Sequence, residues 1–185
     1  AKTAGHLARH RNAIETGTYD GPPAISPLVM PTRTFEDRLS LRIGNTDVEL
    51  IEFDIHSDDG VVLWLPQARL LLAGDTLEDS VTYVAEPENL SRHLPELDRL
   101  AKLGATHILP NHGCPDRIAS GGYHAGLIQA TARYIRLLLA MKTDAVLRAT
   151  ALRDLLGQDL EDGTLVYLEG YEPIHARNVE RVLAL

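Results

Sequence analysis

The chain is 185 residues long, which is room for one ordinary domain or part of a larger one. Lys and Arg number 18 against 26 Asp and Glu, a formal charge of −8, so neither nucleic acid nor an anionic membrane surface is expected as a partner. Apolar residues, at 44%, are enough for a core, and the single cysteine, Cys114, excludes an internal disulfide.

The longest apolar runs, Val61–Leu65 and Ile135–Met141, are too short to span a bilayer. After Ala1 there is no basic segment followed by an apolar stretch, so a signal peptide is not expected and the cytoplasm is the expected compartment.

In chain order, Ala4, Leu7, Ala8 and Ile14 predict a short amphipathic helix over 1–15, ending near Gly17. Gly21 to Pro31 is loop by composition. Leu39, Leu41 and Ile43 alternate with polar residues, and Gly44-Asn45 turns the chain into a second strand over 47–55, apolar on both faces. Val61–Leu65 and Leu70–Ala73, joined across Pro66–Arg69, form a hairpin. Trp64 and Leu65 are core candidates.

Leu90, Leu94, Leu97, Leu100 and Leu103 predict a helix over 87–103, with Pro95 as a kink or a second start and Gly104 as its cap. A short strand over 106–109 follows. Helices are then predicted over 123–141, over 144–156 with Asp144 or Thr143 as cap and Gly157 as stop, and over 173–185. The chain is mixed α/β, a single domain over 1–185.

Three turns carry the chemistry. His56 follows the second strand, directly before the hairpin; Asp75 follows the hairpin's second strand. Hairpin strands are antiparallel, so both residues arrive at one open end. Strand, helix, strand then makes a parallel crossover, which brings His112 of Pro110-Asn111-His112-Gly113 to the same edge. Two imidazoles and a carboxylate suit a divalent metal such as Zn²⁺. Each turn alone has an ordinary structural explanation; the convergence is what points to a site.

Those residues resemble the second half of a metallo-β-lactamase-superfamily domain. His56 matches the family's third histidine. Asp75 of Leu71-Leu72-Ala73-Gly74-Asp75 matches the carboxylate that bridges two metals, and His112 matches the late histidine of Pro-Gly-His-Gly. The match spans roughly 35–113. The family's first motif, His-x-His-x-Asp-His, is absent, and the only close histidine pair is His6 and His10, read here as solvated surface residues.

The resemblance implies an αββα sandwich of which this chain holds the C-terminal half with its helices. It implies a metal-dependent hydrolase of esters, thioesters, lactones or phosphodiesters, acting on a small molecule through a two-metal centre of zinc, or of iron or manganese. With the first motif missing, this chain is expected to hold metal weakly or not at all and to be inactive by itself. The rival expectation is a non-catalytic assembly module, self-associating through the apolar face that half a sandwich leaves open.

Other residues have plainer readings. His124 is expected to cap a helix, His107 to be structural, and His93 and His175 to lie on solvated helix faces. Cys114 reads as a small filler.

Overall fold

The computed structural model describes residues 2–19, 21 and 23–185. The chain divides into two compact units, Ala1–Glu36 and Asp37–Leu185. In the first, helix α1 (Lys2–Glu15) is followed by a turn in which Gly17 N donates to Ile14 O at 3.1 Å. The irregular segment after it is tied back by Leu28 N, which donates to Glu15 Oε1 at 3.0 Å.

The second unit holds, among the described residues, one sheet in the order β1-β2-β3-β4-β5: β1 (Arg38–Ile43), β2 (Thr46–Glu52), β3 (Val61–Leu65), β4 (Leu70–Gly74) and β5 (His107–Pro110). The first three pairings are antiparallel. The last, β4 with β5, is parallel, crossing through α2 (Leu90–Ala101) as the strand–helix–strand order requires. The remaining helices are α3 (Pro115–Ala119), α4 (Gly126–Ala140), α5 (Ala145–Ala149), α6 (Leu152–Leu155), α7 (Gly157–Glu161) and α8 (Glu172–Leu183). Among the described residues no helix is long and apolar enough to cross a membrane.

Strand alternation divides the sheet into two faces. Ile51, Val62, Trp64, Leu71, Ala73 and Ile108 are buried in one continuous core with Leu90, Leu97 and Leu100 of α2 and Leu127, Ile135 and Leu138 of α4. On the opposite face Leu39, Leu50, Leu63, Leu72 and Leu109 lie in register across all five strands, and each is only partly buried.

Several boundaries differ from the sequence expectation. The second strand stops at Glu52 rather than Ile55, because Phe53 N donates to Gly60 O and Ile55 N to Phe53 O, folding the chain into a tight loop. Helix α4 starts at Gly126 rather than Tyr123. Tyr123 instead exchanges two backbone hydrogen bonds of 2.8 Å with Ile108, extending the sheet by one bridge.

The single helix expected over 144–156 is split. Asp144 caps it as expected, accepting from Val146 N and Leu147 N. Thr150 then turns extended, with its hydroxyl bonded to Val146 O at 2.9 Å, and α5 ends at Ala149. Gly157 opens α7 instead of closing a helix. Pro95 lies inside α2, which runs through it as one helix.

Two histidines are not on solvated faces. His93, one turn from Leu90 and from Leu97 on the same stripe, is 3% exposed. His175 is partly buried, with Nδ1 2.9 Å from the Tyr134 hydroxyl.

Candidate active site

The loop after β2 delivers His56. Gly60 permits it: a Cβ there would meet Phe53 O at 2.7 Å and Ile55 O at 2.9 Å, so no side chain fits where the loop doubles back. His56 itself takes φ = 69°, a conformation uncommon outside glycine though less so for histidine than for branched residues. Asp75 follows the last residue of β4, and His112 lies two residues past the end of β5. Asn111 links these two turns: its N–H donates to Gly74 O at 3.0 Å, and its side-chain amide donates to Asp75 Oδ1 at 3.1 Å.

All three residues singled out from the sequence line one pocket of about 420 Å³, together with Glu78, Tyr83, Tyr171 and Ile174. His112 Nε2 is 3.4 Å from Asp75 Oδ1. His56 Nδ1 is 3.8 Å from Glu78 Oε1. Glu78 is 5% exposed, and burial pushes its carboxyl up to about 7. The Tyr83 N–H, donating at 3.4 Å, pulls the other way, and the charge of Asp75 adds to the rise. A carboxyl raised to near neutrality beside the His56 imidazole can give or accept a proton at physiological pH. Burial, with the charges of Glu78, Asp79 and Asp75, lifts the Tyr171 phenol to about 12, so it stays a hydrogen-bond donor.

Glu78, Tyr83 and Tyr171 were not singled out from the sequence. Glu78 carried a faint signal: an acidic pair, Glu78-Asp79, three residues past Asp75 and between Leu77 and Ser80. Tyr83 is placed by a buried amide. Asn178 of α8 accepts from Val84 N at 2.9 Å and donates to Thr82 O at 2.8 Å, gripping the chain on both sides of the tyrosine. Tyr171 and Ile174 come from nearly a hundred residues downstream of Asp75, and no local pattern announces them.

The remaining sequence candidates lie elsewhere. His124 Nδ1 accepts from Gly126 N at 3.0 Å just ahead of α4, whose N-cap residue is Ala125 rather than His124. His107 is exposed on β5, and Cys114 is a partly buried free thiol.

The fit to a metal is partial. His56 Nδ1 is buried and has no hydrogen-bond partner, which leaves it able to serve as a ligand nitrogen. Asp54 Oδ1 and His93 Nε2 are likewise buried and unpartnered. Yet among the described residues no group of three or more His, Cys, Asp or Glu is gathered closely enough to hold an ion. Asp75 and His112 are neighbours, and His56 is paired with Glu78 instead. The donors present do not make a closed shell.

No family model matches the chain. Over 78 residues it is 31% identical to "Beta-lactamase-like protein 2 homolog" of Caenorhabditis elegans. Over that stretch the chain is similar to a β-lactamase-like protein. The match covers 42% of this chain and spans about a quarter (26%) of that protein. Superfamily structures also align with it. A metallo-β-lactamase from Pontibacter korlensis gives a TM-score of 0.48 at 22% identity, over 60% of this chain and 51% of that one. A metallo-β-lactamase family protein from Thermus thermophilus gives 0.46 at 20% identity, over 85% and 60%.

Proposed function

We propose that this chain carries part of the metal site of a superfamily hydrolase, with His56, Asp75 and His112 as ligands to a two-metal centre of zinc, or of iron or manganese. The reaction is hydrolysis of a small ester, thioester, lactone or phosphodiester. One observation carries this reading: residues from three separate turns, 19 and 37 positions apart, line a single pocket with a buried imidazole nitrogen at its wall that makes no hydrogen bond. By itself the chain holds the ions weakly and turns over little, because two imidazoles and one carboxylate leave much of each ion's charge and coordination unsatisfied.

The test is bound zinc in the dialysed chain, measured beside turnover of an aryl ester and an aryl phosphodiester. Weak binding that falls in His112→Ala, with turnover near background, is the expected result. Tight stoichiometric metal with rapid turnover refutes the incomplete shell, and binding indifferent to His56, Asp75 and His112 refutes the ligand assignment.

A second reading, an assembly module, is favoured by the leucine row Leu39, Leu50, Leu63, Leu72 and Leu109. A second copy of the chain, facing the first with the same leucines, would bury it. Light scattering decides this: a chain that stays monomeric on concentration removes the reading.

A further inference from the structure

Outside the pocket, the first unit gathers three ring side chains. His6 and His10 stand at i and i+4 on α1, so both rings lie on one face, with centroids 4.5 Å apart and planes tilted by 43°. They are not two independent solvated side chains. The turn after the helix brings Tyr19 back onto them, held by hydrogen bonds from Thr18 N and Tyr19 N to the same acceptor, Ala13 O, at 2.8 and 3.2 Å. The Tyr19 ring centroid is 4.8 Å from that of His10 and 5.6 Å from that of His6. Its hydroxyl is 2.7 Å from His6 Nε2.

We propose that His6, His10 and Tyr19 form a site for a divalent transition-metal ion, copper(II) most tightly and nickel(II) or zinc less so. Imidazole is a good ligand for all three ions, and the order follows their intrinsic affinity for nitrogen donors. The helix fixes the spacing of the two rings before any ion arrives, so binding costs little side-chain ordering. The phenol oxygen beside His6 Nε2 supplies a third donor or, hydrogen-bonded to the ring, orients the imidazole that ligates. The rings are partly exposed, and Tyr19 is 40% exposed, so an ion has a path in from solvent. None of these residues belongs to the pocket of His56, Asp75 and His112.

The experiment titrates the full chain with copper(II), reading affinity by calorimetry and ligation by electron paramagnetic resonance. The variants are His6→Gln, His10→Gln and Tyr19→Phe, with the exposed His107→Gln in parallel. Glutamine keeps good helix propensity, so a loss of binding reports the imidazole rather than an unravelled helix. The expected result is one copper per chain with nitrogen splitting from two imidazoles. Either glutamine variant should weaken binding by at least about tenfold and drop the splitting to one nitrogen, Tyr19→Phe should weaken it less, and His107→Gln should leave it unchanged. Copper affinity unaffected by His10→Gln, or binding that disappears with His107→Gln, overturns the proposal.

Discussion

The Tyr123 hydroxyl donates to Asp79 Oδ2 at 2.8 Å, and Asp79 is completely buried. The same phenol oxygen accepts from Cys114 N at 2.8 Å, and the Asp79 carboxylate also accepts from Val166 N at 3.0 Å. The Asp79 N–H reaches His112 O at 3.4 Å. This pair therefore fastens together the loop that carries Asp75 and Glu78, the turn that carries His112, and the segment leading to Tyr171. None of its side-chain hydrogen bonds reaches a pocket residue, yet it positions three of the walls.

Replacing Tyr123 with Phe keeps the ring and removes both hydrogen bonds of the hydroxyl. Asp79 and Cys114 N are left short of a partner in a buried place, which costs about 1–3 kcal/mol. Urea unfolding of the variant should show that loss, and the His112 ring resonance should shift in the folded protein. Unchanged stability would mean that water replaces the hydroxyl at no cost.

Gly113 lies where the Tyr123 hydroxyl must pass. A Cβ at this position would stand 2.7 Å from that oxygen and 3.4 Å from the Asp79 Cβ. Gly113→Ala is expected to destabilise the fold by about 1–3 kcal/mol through overpacking. Pairing it with Tyr123→Phe in a double-mutant cycle should recover part of the loss, because the phenylalanine ring ends one atom short of the clash.

At Tyr134 a second buried hydroxyl sets a pH dependence. Asn178 Nδ2 donates to the Tyr134 oxygen at 3.1 Å, so the phenol's own proton is free to donate to His175 Nδ1 at 2.9 Å. That bond requires an unprotonated Nδ1. Burial holds the His175 imidazole below the ordinary histidine range, with the charge of Glu172 pulling the other way. A lowered folded-state pKa means that the unfolded chain binds more protons as the solution is acidified. The stability this group contributes is complete above about pH 6.5 and is lost as the pH falls below it.

Wild type should thus lose unfolding free energy between about pH 7.5 and pH 5 more steeply than His175→Leu does. Asp79 and Glu78 act in the opposite sense. Burial raises them to about 6 and about 7, so their contribution is present at low pH and lost as the pH rises through those values. Comparing the two slopes isolates the histidine, and parallel slopes would contradict the assignment.

Asp75 is the hinge of the metal proposal. Its Oδ1 accepts from Asn111 and faces His112, so Asp75→Asn replaces a charged acceptor with a neutral amide at the same size. Zinc affinity of the chain should fall by at least about tenfold, measured by competition with a coloured chelator. Thermal stability without metal should change little, since the carboxylate is about two-fifths exposed.

Much of this was legible in the amino-acid order because it is local. Alternation and turn residues set the strands and the hairpin, and leucine spacing set α2. Antiparallel and parallel connection rules then carried His56, Asp75 and His112 to one edge, since each sits just past a strand end. The helix over 144–156 failed for a local reason that propensity does not weigh, a threonine hydroxyl competing for a backbone carbonyl.

What the tertiary structure alone decided is the burial of polar side chains. Glu78, Asp79, His93, Tyr123 and Asn178 look like ordinary surface or turn residues in the chain, and each is at least 95% buried. Burial depends on what packs over a residue from distant segments, as α8 does over the 82–84 loop through Asn178, and no window of neighbouring residues encodes that. The sequence by itself determined which chemistry arrives at the sheet edge. Only the packing decided that His56 pairs with Glu78 while Asp75 pairs with His112, because those partners are set by side-chain directions across elements.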